Sequence, residues 1–160
     1  MAEVELPPTG WDYAYASIEP PRRGREVFRP ILPVRLSPEQ PSALFALVDS
    51  GSEHTLAPRW LADGMGISLD ESADRLLLGV GGLAVEAIFA EVDLHLYRDH
   101  DADDYVQWRV EVGFLERWDA EFYLILGQVG FYDQFTVTMN RRLLSTHLHD
   151  IETFPGHNPS

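Results

Sequence analysis

The sequence contains no cysteine among its 160 residues. Disulfides, zinc–thiolate centres and cysteine nucleophiles are therefore excluded together, and the absence suits a reducing cytoplasm. Basic residues are scarce: 12 Lys and Arg face 26 Asp and Glu, a formal charge of −14. Such a surface repels phosphate backbones and anionic lipid, so neither nucleic acid nor membrane is an expected partner. No stretch approaches the ~20 consecutive apolar residues of a membrane span. The N-terminus has no basic start and no apolar core of a secretory signal. Sustained helical periodicity is also missing, and so is any internal repeat. What remains is an ordinary globular composition, 45% hydrophobic and 24% charged, enough for one hydrophobic core.

The pattern along the chain divides it into an extended N-terminal arm over 1–26, a β-rich domain over 27–150 and a disordered tail over 151–160. The arm is rich in Pro, Glu and Arg, with an ordered piece expected around Trp11, Tyr13 and Tyr15. Within the domain, Val27–Leu36 alternates, but Pro30 and Pro33 confine it to an edge or an irregular strand. Ser42–Val48 is a short apolar run ending at Asp-Ser-Gly. Pro58–Gly64 reads as a short helix with Pro at its start and Gly at its stop. Leu76–Val80 and Leu83–Leu96 flank Gly79-Val80-Gly81-Gly82, which is hairpin chemistry. Tyr105–Leu115, Phe122–Leu126 and Gln134–Met139 complete the strands, with a helical turn around Val129–Asp133. Short strands with so little helix predict an all-β domain, closed or sandwiched. Trp60, Trp108 and Trp118, with Phe122, Phe131 and Phe135, are expected in the core or at a dimer interface.

The chemistry begins at Asp49. A buried strand delivers this carboxylate into a turn where Ser50 bonds locally and Gly51 permits close backbone approach. One carboxylate alone does little hydrolysis. Two held about 3 Å apart share a proton, and one then serves as base and the other as acid toward a trapped water. Only one Asp-Ser-Gly is present, so the second carboxylate must come from a two-fold-related chain.

Ala46-Leu47-Val48-Asp49-Ser50-Gly51-Ser52, with Thr55-Leu56 after it, resembles the active-site segment of the retropepsin-like aspartic proteases. Gly79, Val80, Gly81 and Gly82 are similar to that family's flap tip, and Leu124-Ile125-Leu126-Gly127 to its apolar-apolar-Gly element. The three matches appear in the family's order over roughly residues 31–140. The resemblance implies a closed acid-protease barrel with a glycine-rich flap and one or two short helices. It implies an endopeptidase acting as a homodimer on an extended peptide or protein, with Asp49 catalytic, Ser50, Gly51 and Ser52 shaping the turn, and Leu126 and Gly127 supporting it. No metal or organic cofactor is implied. Glu53, His54 and Gln128 depart from the family's usual residues. The alternative is a catalytically silent fold of the same kind that binds a peptide or serves for dimerisation.

Two clusters have other readings. Asp99–Asp104 has a cation site's composition without the spacing and closing Glu of an EF-hand, so a solvated loop is expected. His147-Leu148-His149 places two imidazoles two residues apart, a spacing able to clip a metal in a strand, but no third ligand is evident in the sequence, so a surface or tail role is expected. A serine-hydrolase reading fails for want of Gly-x-Ser-x-Gly.

Overall fold

A computed structural model describes residues 2–80 and 83–150. The strands in chain order are Ala2–Glu3 (β1), Trp11–Ala14 (β2), Ala16–Ser17 (β3), Phe28–Arg29 (β4), Ile31–Arg35 (β5), Leu44–Val48 (β6) and Leu56–Pro58 (β7). The helix Arg59–Met65 (α1) follows, then Leu76–Val80 (β8), Leu83–Tyr97 (β9), Asp104–Leu115 (β10), Leu124–Leu126 (β11), Phe135–Asn140 (β12) and Ser145–Asp150 (β13). The fold is all-β. Pairing runs β10–β7–β11–β6–β5–β9 and returns from β9 to β10, so six strands close a barrel. β1 adds to β10 outside the ring, and β8 adds to β9.

Alternation from Gln107 to Val112 explains why β10 takes this form. Trp108, Val110, Val112 and Phe114 are buried in the main core, whereas Gln107, Arg109 and Glu111 face solvent. Facing them, Val92, Leu94 and Leu96 of β9 and Leu124 and Leu126 of β11 fill the barrel. The indole of Trp108 donates to the Gly130 carbonyl at 2.7 Å, which satisfies its one polar atom inside the core.

The structure revises several local expectations. β5 is no edge strand: it lies between β6 and β9. It pairs with β9 only through Val34 and Arg35, leaving Pro33 at the end of that ladder, where no N–H is required. The helix stops at Gly66 rather than Gly64. Gly66 has φ 68°, the left-handed cap conformation, and its N–H bonds back to the carbonyls of Ala62 and Asp63. The segment 1–26 carries three short strands and a tight turn, and Trp11 and Tyr13 of β2 belong to the main core. Tyr13 donates to the Tyr97 carbonyl at 2.8 Å, and burial pushes its phenol far above the ordinary value. β2 joins β13 and β12 in a three-stranded sheet, order β12–β13–β2. The tail over 151–160 lies outside the described residues, as do Gly81 and Gly82.

Candidate active site

β6 determines where Asp49 points. Ala46 and Val48 are buried in the barrel, so Leu47 and Asp49 project from the opposite face. β11 runs parallel beside it, with Ile125 opposite Leu47 on that same outer face. The strand ends as the Asp49 N–H donates to the Leu126 carbonyl at 3.1 Å.

The turn then folds over its own aspartate. The Gly51 N–H donates to Oδ1 of Asp49 at 2.9 Å, and the Ser52 N–H donates to the Asp49 carbonyl at 3.2 Å. One carboxylate oxygen is thus fixed in orientation, as the sequence required of a positioned acid or base. A second segment clamps the turn from behind. Gln128 N–H donates to Ser52 O at 2.9 Å, Val129 N–H donates to Glu53 O at 2.8 Å, and the Gln128 amide donates to Ser50 O at 2.7 Å. Ser52 Oγ donates to the His54 carbonyl at 2.8 Å.

Gly127 makes this interlock possible. A Cβ there would stand 2.3 Å from the His54 carbonyl oxygen and 2.8 Å from that of Ser52, so the two loops touch backbone to backbone. Thr55 is fully buried at the crossing. Its hydroxyl donates to Val129 O at 2.9 Å and accepts the Gly127 N–H at 3.3 Å.

Asp49 itself is half-buried, while Ser50, Gly51, Glu53, Gln128 and Val129 are exposed in the single chain. His54 packs edge-on against Phe89, ring centroids 5.2 Å apart. Tyr132, which no sequence signal singled out, has its hydroxyl enclosed beside Ser50 and Asp49 without a hydrogen bond of ordinary geometry. Burial first, with the Asp49 charge in the same direction, raises its phenol; Ser50 opposes.

The β8–β9 hairpin stands over a second, smaller apolar cluster. Leu56, Ala87 and Leu115 are its buried centre, with Leu78, Val85, Phe89, Trp118 and Ile125 around them. Beside it opens a cavity of about 360 Å³ lined by Val85, Leu115, Trp118, Phe122 and Ile125, with Arg117 and Asp119 at its rim. Since Ile125 lies opposite Leu47, the cavity continues the face that carries Asp49. Trp118 and Phe122, expected in the core or at an interface, therefore line an open pocket. Trp108, Phe131 and Phe135 are core residues, and Trp60 is exposed against Tyr123. Of the flap residues, Gly79 lies in β8 opposite Ala84, and Val80 ends that strand.

The fold and site define an all-β closed barrel that carries one positioned aspartate and, on the same outer face, an apolar pocket. No family model matches the sequence, and neither does any curated protein. Among solved structures, the chain is similar to the EIAV protease complexed with the inhibitor HBY-793. Identity is 17% over 62% of this chain and 82% of that one, with a TM-score of 0.34. A superposition this loose establishes no kinship.

Proposed function

We propose that the chain is a retropepsin-like aspartic endopeptidase that works as a homodimer, with one Asp49 from each copy forming the catalytic pair. The observation that carries this reading is the anchored, outward-facing Asp49 carboxylate. Its Oδ1 accepts the Gly51 N–H at 2.9 Å while the loop around it is exposed in the single chain. In the dimer the two carboxylates hold one proton between them. The ionised member takes a proton from water as the water oxygen bonds to the scissile carbonyl carbon, and the protonated member gives its proton to the carbonyl oxygen. The tetrahedral diol then collapses: the carboxyl that took the water's proton passes it to the amine nitrogen as the C–N bond breaks, and the other carboxylate takes a diol proton, which restores the singly protonated pair.

The Gly51 carbonyl and the β8–β9 hairpin would hold the substrate backbone in extended form. The pocket beside Ile125 would take an apolar side chain. No metal or cofactor enters this mechanism.

The test is digestion of a peptide library from acidic to neutral pH by wild type and Asp49→Asn, with the solution mass of both. The expected result is a dimer in each case and loss of cleavage by about 10²–10⁴-fold in the variant. Equal digestion by both proteins, or a strictly monomeric wild type, overturns the proposal. Peptide binding by a dimer that cleaves nothing would leave the silent-fold reading in its place.

A further inference from the structure

On the outer face of the β12–β13–β2 sheet, three side chains stand in line. Asp12 of β2 lies directly opposite His147 of β13, and His149 follows two residues on, on the same face. Asp12 Oδ1 is 2.5 Å from His147 Nδ1, and His147 Nε2 is 3.0 Å from His149 Nε2. With the Nδ1–H of His147 donated to the carboxylate, its Nε2 accepts the Nε2–H of His149, and a metal held by both nitrogens would displace that proton. A carboxylate behind a histidine whose other nitrogen faces a second histidine nitrogen is the outer-shell arrangement of metal-ligating histidines.

Gly10, with φ 71°, packs against this strand: a Cβ on it would collide first with the Leu148 carbonyl oxygen and would stand 2.8 Å from His147 Nε2. The site is also accessible: the His147 side chain is 26% exposed and Asp12 79%.

We infer that His147 and His149 form a two-nitrogen transition-metal site, with Asp12 orienting His147 from behind. The separation of the nitrogens bears on which metal fits. With metal–nitrogen bonds of about 2.0–2.1 Å, 3.0 Å between nitrogens subtends about 95° at the ion. That is close to the cis angle of a tetragonal complex and narrower than a tetrahedral one, which favours Cu²⁺ or Ni²⁺ over Zn²⁺. Among the described residues no group of three or more ligating side chains gathers anywhere. The remaining positions go to water or to a donor outside the described residues. This inference is independent of the role of Asp49.

The experiment titrates the full, tag-free chain with Cu²⁺ and follows the paramagnetic resonance spectrum. The expected result is one tight ion per chain, with hyperfine structure from two nitrogens. His147→Gln and His149→Gln should each reduce that to one nitrogen. Asp12→Asn should weaken uptake by about 10–100-fold while keeping both nitrogens. Uptake by the double histidine variant with the wild-type affinity and spectrum overturns the inference, as does failure of the wild type to bind. A second reading needs no variant: substoichiometric Cu²⁺ should broaden the ring signals of His147 and His149 first among the six histidines. Broadening that begins at His54 or His100, or is uniform, refutes the site.

Discussion

Replacing Gly127 by alanine places one methyl group where two backbones meet. The added Cβ would lie 2.3 Å from the His54 carbonyl oxygen, 2.6 Å from its carbon and 2.8 Å from the Ser52 oxygen. None of these atoms belongs to a flexible side-chain end, so relief requires the loops to separate by roughly an ångström. That movement stretches the Gln128–Ser52 and Val129–Glu53 backbone hydrogen bonds, now 2.9 and 2.8 Å. Each contributes about 0.5–1.5 kcal/mol net, and overpacking adds about 1–3 kcal/mol. The substitution should destabilise the protein by about 4 kcal/mol, a large part of the 5–15 kcal/mol typical of a domain. For a chain this long, that corresponds to a fall in Tm on the order of 10 °C. Chemical denaturation with an unchanged m-value is the appropriate assay. Gly51→Ala is the control: its Cβ meets only the Asp49 carboxylate oxygen, at 3.2 Å, so it should perturb the turn with little loss of stability. A Gly127→Ala protein within about 0.5 kcal/mol of wild type, the range of a neutral surface change, would refute the interlock argument.

Other residues give sharper, smaller tests. Trp108→Phe leaves the Gly130 carbonyl without its 2.7 Å donor inside the core and should cost about 1–3 kcal/mol in a denaturation titration. Tyr132→Phe removes an enclosed hydroxyl lacking an ordinary hydrogen bond, so stability should rise by about 1 kcal/mol; a loss would reveal a bonding partner. Glu19 accepts from Arg29 at 3.0 Å and Arg22 at 2.8 Å, and the Arg29 hydrogen bond foremost holds its carboxyl below the ordinary 4.5. Because the folded value is the lower one, this stabilisation is present above the unfolded value and is lost as pH falls through the folded value. Stability curves of wild type and Glu19→Gln should therefore differ near neutrality and converge in acid below 4.5; a constant gap would contradict the assignment.

Local chemistry explains what was legible beforehand. An apolar strand running into Asp-Ser-Gly specifies its own turn, and the Gly51–Asp49 bond spans only two residues. Gly127 was legible through its motif, although its reason, contact with His54 and Ser52, lies more than seventy residues away. Thr55 was legible only as part of the active-site segment, and Tyr132 not at all, since both acquire their roles from partners far along the chain. β2 was legible only as an ordered piece around Trp11 and Tyr13, and β13 not as a strand, because its few apolar positions lie among hydroxyl and imidazole side chains. Trp11 and Tyr13 become core residues only once Leu148 and Thr146 pair beside them. Trp118 and Phe122 were legible only as buried or interfacial aromatics, because an aromatic looks alike in sequence whether it packs on a core cluster or lines a pocket, and Trp118 does both.

The central claim, that two copies each supply one Asp49 to a single site, is tested most directly by mixing subunits. Wild type and Asp49→Asn are combined at fixed total concentration, allowed to exchange, and assayed for peptide cleavage. If each site needs an aspartate from both chains, activity follows the square of the wild-type fraction, and an equal mixture retains about a quarter of full activity. A linear decline, with about half the activity at the same point, would show that each chain works alone and would contradict the paired-carboxylate account.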